Sequence, residues 1–253
     1  MLAALLTDFG LEDVYVGVMK AVILGIAPKA QVIDLTHAIP AQDVLLGALA
    51  LEDAQPYLPR GTAVVAVVDP GVGSARAALA ARSGGRFFVG PDNGLLGWCL
   101  GADAAVVRLE SERHRQPEVS STFHGRDVFA PAAAHLLMGT ELELLGPPVR
   151  DWVRLERPAP LRRRGGAVEA HVLSVDRFGN LILDARRSDL PARPIFRIGD
   201  RRIDGLVRTY AEADGELCAL VGSFGRVEIA QPNGDAARAL GVGRGAGVLV
   251  VEG

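Results

Sequence analysis

The chain has 253 residues, of which 49% are hydrophobic and 23% are charged, and its formal net charge is −3. That length holds one large domain or two unequal ones with a substantial core. The slight acidic excess argues against nucleic acid as the main partner, because binding phosphates usually requires a basic surface. No stretch of about 18 apolar residues free of charge occurs, so we expect no membrane span.

Cys99 and Cys218 lie far apart in the sequence, each among apolar neighbours. We interpret them as buried thiols of a protein in the reducing cytoplasm. No CxxC pair is present, which argues against a structural zinc site. The N-terminal stretch MLAALLTDFG lacks the basic leader of a signal peptide and is expected to form a first buried strand.

In chain order, residues 1–155 alternate between β-rich and helical patterns. Several strands are apolar throughout, which predicts an α/β fold with a largely parallel sheet covered on both faces. The predicted strands are LAALLTD, QVIDLT, TAVVAVVDP, RFFVGPDNG and AAVVRLE, and the predicted helices are DVYVGVMKAVILGIAP and AQDVLLGALALEDAQPYL.

The pattern changes at LERPAPLRRRGG, residues 155–166, where prolines, an arginine run and paired glycines indicate a solvated linker. We therefore predict two domains, 1–155 and 156–253. Short strand-like runs separated by turn residues predict that the second is a smaller antiparallel β-barrel or sandwich. Its predicted strands are AVEAHVLSVD, NLILDA, PIFRIGD, RRIDGLV, ELCALVG, RVEIAQ and AGVLVVEG.

Polar residues of the first domain follow predicted strands, where open α/β sheets bind their ligands. Asp8 could accept hydrogen bonds from a ribose diol or cap the next helix. Asp69 and Arg76, in VVDPGVGSAR, form either a functional charged pair or a structural one that closes a turn. Asp92 and Asn93, in GPDNGLL, also fit ordinary turn chemistry.

The segment STFHGRDVFAPAAAHLLMG predicts a helix with Pro131 in its first turn and Gly139 at its end. His124 would then lie near the helix N-terminus, whose positive dipole favours a neutral imidazole. We interpret Arg126 and Asp127 as a structural ion pair.

A metal site assembled from Asp8, Asp69, Asp127 and His124 would suit a phosphohydrolase. However, the chain has no H-x-D or D-x-D spacing among these residues, and Arg76 would compete with a cation. We therefore expect no metal. The remaining histidines are scattered and are expected to be structural: His37, His114, His135 and His171.

Six motifs occur together and in order: TDFG followed by DVYVG, VIDLTH, VVDPGVGSAR, GPDNGLL, STFHGRDVFAPAAA and VDRFGN. In order and spacing they resemble the S-adenosyl-L-methionine (SAM) hydroxide adenosyltransferases, the hydrolytic relatives of the bacterial fluorinase and chlorinase. The resemblance extends from residue 5 to about residue 237, through most of both predicted domains.

The resemblance implies an N-terminal α/β domain and a C-terminal β-barrel-like domain. It also implies a homotrimer whose active sites lie between one subunit's N-terminal domain and a neighbour's C-terminal domain. The implied reaction converts SAM and water to adenosine and L-methionine, without a metal or another cofactor.

Matched to the family's motifs, Asp8 would hold the ribose diol and Asn93 would also contact the sugar. Asp69, Arg76 and His124 resemble the water-activating set. An Asp–His pair could orient a water molecule and accept its proton, while Arg76 fixes the carboxylate of Asp69.

The halogenases carry other residues at the positions of Asp69 and His124, and a small hydroxyl residue at that of Gly125. The sequence thus resembles the hydroxide branch, in which Gly125 would leave space where the halogenases hold their halide.

The second domain supplies the other expected substrate contacts. By resemblance, they are Asp176 and Ser223 for methionine, Asn180 for adenine, Tyr210 as a stacking aromatic, Phe178 within VDRFGN, and Glu228 nearby. The chain departs from the family at LILDA after FGN, and at Phe224, where the fluorinase has arginine. Both departures leave methionine recognition open.

Two other functions remain open at this point. One is a metal-dependent nucleotide hydrolase, and the other is a binding module that senses adenosine or SAM without turnover.

Overall fold

The computed structural model describes residues 1–163 and 165–253; Arg164, part of the arginine run, lies outside them. The chain forms two compact units, Met1–Leu155 and Glu156–Gly253. The first unit contains the strands β1 (Leu2–Thr7), β2 (Gln31–Thr36), β3 (Ala63–Val67), β4 (Ala78–Ser83), β5 (Arg86–Pro91) and β6 (Ala105–Arg108), and the helices α1 (Tyr15–Ile26), α2 (Val44–Ala54) and α3 (Ala130–Leu137).

The six strands form one sheet in the order β2-β1-β3-β5-β4-β6. The four strands β2, β1, β3 and β5 pair in parallel, whereas β4 runs antiparallel to β5 and β6. The prediction of a largely parallel sheet is confirmed. Strand β4 was not predicted, because its sequence ALAARS is rich in alanine, which has little preference for strands.

Alternate residues of the central strands face opposite layers of the unit. Leu5 and Val65 pack with α1 and α3, whereas Leu6 and Val64 pack with α2. Successive side chains of a strand point to opposite faces, so a strand buried on both faces is apolar throughout. The result is the expected sheet between two helical layers, with the carboxyl ends of β1, β3 and β5 at one edge.

The second unit is an antiparallel sheet in the order β11-β10-β14-β8-β9-β13-β12, with β7 added beside β8. Its strands are β7 (Leu161–Arg162), β8 (Val168–Val175), β9 (Leu181–Arg186), β10 (Pro194–Ile198), β11 (Arg201–Asp204), β12 (Cys218–Val221), β13 (Arg226–Ala230) and β14 (Gly247–Glu252), with one short helix, α4 (Ala236–Leu240).

The sheet of the second unit curls until its end strands approach each other. β11 and β12 lie close together, and the N–H of Val207, just after β11, donates to the carbonyl of Ala219 in β12 at 2.9 Å. The predicted barrel-like β fold is confirmed. Helix α4 was not predicted, although Asp235 caps its first turn and Gly241 ends it at φ 64°.

Across the described residues, we find no helix that combines the length and the apolar character needed to cross a bilayer.

Candidate active site

Asp69 and Arg76, which are 7 residues apart, meet His124, 48 residues after Arg76, beyond β3. Nε of Arg76 donates to Oδ1 of Asp69 at 2.8 Å, and Nη2 of Arg76 also bonds Oδ2 of the same carboxylate. Nη2 lies 2.8 Å from Nδ1 of His124. The side chains of Arg76 and Asp69 are only 10% and 5% exposed. A charged pair this well buried holds its geometry firmly, because separating it would leave an unpaired charge away from water.

The contact with Arg76 identifies the tautomer of His124. A guanidinium has only donors, so Nδ1 must accept and the proton of a neutral ring must lie on Nε2. Burial lowers the pKa of His124, and the charge of Arg76 lowers it further, against smaller opposing effects of Asp69 and Asp127. The ring is therefore neutral near pH 7, with an N–H donor at Nε2.

The buried ring of Phe129 contacts both Arg76 and His124. Cζ of Arg76 lies 5.4 Å from the centre of that ring, and the His124 ring meets it edge-on at 6.4 Å. Phe129 itself is fully buried in the core formed with α1 and α3. The cluster of Asp69, Arg76 and His124 thus rests on the hydrophobic core of the unit.

The sequence predicts that His124 lies near the start of a regular α-helix, but the helical turn that follows it is not a regular α-helical turn. Residues Gly125–Phe129 form one turn of π-helix, which continues into α3, with Pro131 in its first turn. Such turns insert a residue into the helical register and often occur at functional sites. Gly139 follows α3 at φ 92°, close to the end that the sequence predicts.

Arg126 and Asp127 form the structural pair that the sequence indicates. Nε and Nη2 of Arg126 donate to Asp127 at 2.6 and 2.9 Å, and the N–H of Ser120 adds a third bond at 2.8 Å. Burial alone would raise the pKa of Asp127, but these donors outweigh it and lower that pKa. The pair anchors the segment that carries His124.

The glycine-rich loop after Asp69 must pass close to the segment before His124. Gly73 has φ 78°, and a Cβ there would lie 2.4 Å from the carbonyl oxygen of Ser121. Only glycine combines this backbone conformation with so close an approach. The GVG sequence therefore brings Arg76 and His124 together.

The expectation that Gly125 leaves space is wrong in this structure. A Cβ at Gly125 would lie 3.1 Å from Sδ of Met19, 3.1 Å from the ring of Phe123 and 3.4 Å from that of Phe9. Phe123 meets both Phe9 and Tyr15 edge-on, and the rings of Phe9 and Tyr15 contact each other at a tilt of 60°. Aromatic packing fills the volume beside Gly125.

Asp8 lies at the end of β1, and its Oδ2 accepts the N–H of Gln42 at 2.8 Å. Gln42 adopts φ 67°, a conformation that is costly for a residue with a side chain and often occurs at functional sites. Helix α1 begins after Val14, without a side-chain cap from the described residues. Asp8 is therefore not a helix cap, and its carboxylate retains acceptor capacity.

Asn93 is held by the polypeptide itself. Its Nδ2 donates to the carbonyl of Val68 at 2.8 Å, and its Oδ1 accepts the N–H of Leu95 at 3.2 Å. Val68 immediately precedes Asp69, so the amide ties the turn after β5 to the end of β3. Among the described residues, the second N–H of Nδ2 has no acceptor.

The predicted residues of the second unit line one cavity of about 760 Å³, a size typical of small-molecule sites. It is lined by the expected residues Asp176, Phe178, Asn180, Tyr210, Ser223 and Glu228, and also by Phe224, Gln231, Pro232, Asn233 and Gly234. The last four residues were missed from the sequence, although Pro-Asn-Gly is a turn signal and Asn233 adopts φ 57°.

Asp176 organises one side of this cavity. Its Oδ1 accepts the N–H groups of Phe178 and Asn180 at 2.8 and 2.9 Å, and its Oδ2 accepts Nδ2 of Asn180 at 2.9 Å. Gly179 adopts φ 81° within this turn and leaves room for Asp235. The carboxylate of Asp176 and the buried amide of Asn180 are therefore fixed relative to each other.

Tyr210 and Glu228 form a second polar pair in this cavity, in which the phenol donates to Oε2 of Glu228 at 2.9 Å. Burial, the bond to Glu228 and the charge of Asp176 raise the pKa of Tyr210 to about 12. Burial and the charge of Asp176 also raise the pKa of Glu228, against the bond from Tyr210. Gly222 lies against this pair, and a Cβ there would displace the Glu228 carboxylate.

Three aromatic side chains are unusually exposed around the same cavity: Phe178 at 73%, Phe224 at 52% and Tyr210 at 44%. Exposed aromatic faces beside a cavity indicate a surface that a flat ligand or another protein surface covers.

The remaining histidines make contacts of their own. His114 and His135 stack edge-on at 4.8 Å, and Nδ1 of His171 lies 3.4 Å from Asp184. Over the described parts of the chain, no three histidine, cysteine or acidic residues come together as a metal site would require.

The sequence matches the pattern of the SAM hydroxide adenosyltransferase N-terminal domain over residues 3–146, and that of the corresponding C-terminal domain over residues 170–249. It is 47% identical to the (R)-S-adenosyl-L-methionine hydrolase of Thermus thermophilus, with 95% of each chain covered. It is 42% identical to the enzyme of the same name from Salinispora tropica, covering 98% of this chain and 96% of the relative. The fold matches the crystal structure of an uncharacterised conserved protein from Thermotoga maritima, with a TM-score of 0.90 and 33% identity over the whole of both chains.

Proposed function

Because the chain belongs to the SAM hydroxide adenosyltransferase family, we propose that it hydrolyses S-adenosyl-L-methionine to adenosine and L-methionine. The observation that carries this proposal is the buried cluster of Asp69, Arg76 and His124 at the carboxyl edge of the sheet. This cluster offers one anion and one neutral N–H donor side by side, which suits the positioning of a water molecule.

The reaction needs an oriented nucleophile more than an acid. The water oxygen forms a bond to C5′ while the C5′–S bond breaks, and the bonding electron pair remains on sulfur. The leaving group is a neutral thioether, so it needs no proton. The water must lose one proton, and free water, with a pKa of about 15.7, is a poor nucleophile without help.

The hydrogen bonds of the cluster support a division of roles that differs from a shared Asp–His base. Nε2–H of His124 donates to the attacking oxygen and fixes its direction. Asp69 accepts the proton, because each carboxylate oxygen keeps a second lone pair beyond its bond to Arg76. Arg76 holds both partners in place. Positioning of this kind, with a proton acceptor, contributes about 10²–10⁴-fold to the rate.

We assign the substrate contacts by the same family membership. Asp8 holds the ribose diol, and the free N–H of Asn93 contacts the sugar. The cavity of the second unit accepts the remainder of the substrate. Its proposed contacts are Asn180 and Tyr210 for adenine, Asp176 and Ser223 for methionine, and Phe178 and Glu228 beside them.

We also propose a cytoplasmic homotrimer in which the first unit of one subunit and the second unit of its neighbour share each active site. Light scattering gives the mass in solution. An active monomer would contradict the proposed assembly.

The relatives' names specify the (R) form of SAM, and we propose the same preference here. Incubation with each sulfonium epimer separately, with adenosine and methionine quantified by chromatography, tests the reaction and the preference together. Equal rates with the two epimers would contradict the preference, while failure to form adenosine from either would contradict the hydrolysis itself.

We propose that the reaction proceeds without a metal or another cofactor. Turnover should be unchanged in the presence of EDTA. Loss of activity with EDTA and recovery with Mg²⁺ or Zn²⁺ would instead indicate a metal-dependent nucleotide hydrolase. Binding of adenosine without product formation would indicate a sensor, so product formation is the decisive measurement.

A further inference from the structure

A buried histidine joins the ends of two neighbouring parallel strands next to Asp8. His37 follows β2 and is 5% exposed, and Thr7, the last residue of β1, is fully buried. Oγ1 of Thr7 lies 2.8 Å from Nδ1 of His37. The sequence places His37 in the VIDLTH motif, to which the proposed reaction gives no role.

The neighbours of His37 determine where its proton lies. Nε2 is 3.0 Å from Oδ1 of Asp34, a close electrostatic contact that does not meet hydrogen-bond geometry. A carboxylate has no proton to give, so the ring hydrogen lies on Nε2 and Nδ1 accepts the hydroxyl proton of Thr7. Lys20 holds the other oxygen of Asp34 at 2.6 Å. The imidazole is thus fixed from both sides.

His37 controls the two residues that immediately follow Asp8. The N–H of Phe9 donates to Oγ1 of Thr7 at 3.1 Å, so Phe9 is tied to the imidazole through the hydroxyl. The N–H of Gly10 donates to the carbonyl of His37 itself at 2.9 Å. The turn that carries Asp8 therefore has two connections to one buried residue.

We propose that His37 is a positioning residue for ribose recognition, acting through Thr7 and the turn to direct the carboxylate of Asp8. The inference rests on the proposed function, in which Asp8 accepts both ribose hydroxyls. Two O–H···O bonds require distances of about 2.5–3.0 Å at the same time. Without the imidazole the Thr7 hydroxyl loses its fixed orientation, and a turn left with only the backbone bond between Gly10 and His37 cannot hold the carboxylate so closely.

The test compares adenosine with 2′-deoxyadenosine, which lacks one of the hydroxyls that Asp8 would hold. Calorimetric titration of the full-length protein gives both affinities. His37→Leu should weaken adenosine binding about 10-fold, the usual effect of losing a hydrogen bond to a charged group. Binding of 2′-deoxyadenosine should change much less, so the preference for adenosine falls. General destabilisation of the protein would weaken the binding of both ligands equally.

Three further variants separate positioning from packing. Thr7→Val keeps the shape and the imidazole but removes the hydroxyl, and should reproduce the loss even if His37→Leu folds poorly. His37→Asn retains an acceptor for the hydroxyl and should restore most of the preference. His171→Leu, which changes a histidine beside a carboxylate in the second unit, should leave the preference unchanged.

A double-mutant cycle completes the test. In Asp8→Ala, the further change His37→Leu should have almost no effect on adenosine binding, because the two residues act as one unit. Two results would overturn the positioning role without touching the proposed function. One is that the losses of adenosine affinity in the double variant are additive, and the other is that both His37→Leu and Thr7→Val keep the wild-type preference for adenosine. Failure of the wild-type protein to bind adenosine would instead overturn the proposed function.

Discussion

Nη2 of Arg76 donates to Nδ1 of His124 across 2.8 Å, so only Nε2 of that imidazole is left to meet a nucleophile. In a Ser-His-Asp triad the arrangement is the opposite: the Nδ1–H group faces a carboxylate, and Nε2 is free to accept a proton. Here Nδ1 faces a cation and Nε2 carries the hydrogen. In the proposed mechanism His124 would therefore orient the water, which leaves Asp69 as the proton acceptor.

Substitutions that mimic one imidazole nitrogen at a time test this assignment. His124→Gln places an amide N–H near the position of Nε2, whereas His124→Asn preserves only a group near Nδ1. We expect kcat to fall about 10-fold in the first and about 10²–10³-fold in the second, the usual cost of removing a donor from a reacting oxygen. Steady-state measurement of adenosine formation gives both values.

Asp69→Asn provides the complementary measurement. It keeps the shape but removes the anion, so kcat should fall by at least about 10²-fold, while adenosine still binds. If His124→Gln were as inactive as His124→Ala while Asp69→Asn stayed active, His124 would be the base and the assignment would be reversed.

The pH dependence of kcat should follow the protonation of His124. A second ring proton would point from Nδ1 at the Arg76 guanidinium and break their contact. Burial and Arg76 lower the pKa of His124 below its ordinary 6.5. Activity should therefore be level at neutral pH and fall only as the pH drops below 6.5, when the ring gains its proton.

The control for that profile is His135→Gln. The pKa of His135 is also lowered, by burial and by His114, but its ring lies outside the cluster of Asp69, Arg76 and His124. The acid decline in kcat should persist in His135→Gln and disappear in His124→Gln. Persistence in both variants would assign the decline to another group.

The sequence predicts the parts of this fold that depend on local pattern. β3 is apolar throughout because it is buried on both faces, and that pattern alone identifies a central parallel strand. β4 escapes prediction because its alanines favour no strand, although Gly84 and Gly85 adopt φ 55° and 76° in the hairpin turn that precedes β5.

Other features of the structure could not be predicted because they depend on contacts between distant segments. The volume beside Gly125 depends on Phe9 and Met19, more than a hundred residues earlier, so no local pattern shows that it is filled. The bond between Thr7 and His37 likewise joins two strand ends that only the sheet brings together. The family's motifs indicate which residues form the site, whereas the tautomers and hydrogen-bond partners of those residues depend on contacts that exist only in the folded protein.

Gly73→Ala should impair the site more than backbone strain alone predicts. Alanine at φ 78° costs about 1–2 kcal/mol, and its Cβ would also collide with the carbonyl of Ser121, 2.4 Å away. The matched control is Gly61→Ala, where φ is 80° but no atom of the described residues lies within 4 Å of a Cβ. In Gly61→Ala, urea unfolding should show only the lower free energy of unfolding that strain causes, and kcat should be unchanged. In Gly73→Ala, the free energy of unfolding should also fall, and kcat should drop strongly.

Tyr210→Phe tests whether the phenol contributes to the cavity of the second unit. The change keeps the aromatic face but removes the bond to Glu228, so adenosine affinity should fall by only about 3- to 10-fold. Ultraviolet titration should lose one tyrosine that ionises near pH 12, because the wild-type phenol has its pKa raised to about 12.

Tyr57→Phe, at an exposed tyrosine of the first unit, should leave adenosine affinity and that high-pH transition unchanged. A Tyr210→Phe protein that retains the transition would show that Tyr210 is not the tyrosine that ionises near pH 12. Loss of the transition with unchanged adenosine affinity would place the phenol outside the ligand site, because adenosine would then bind equally well without the Tyr210 hydroxyl.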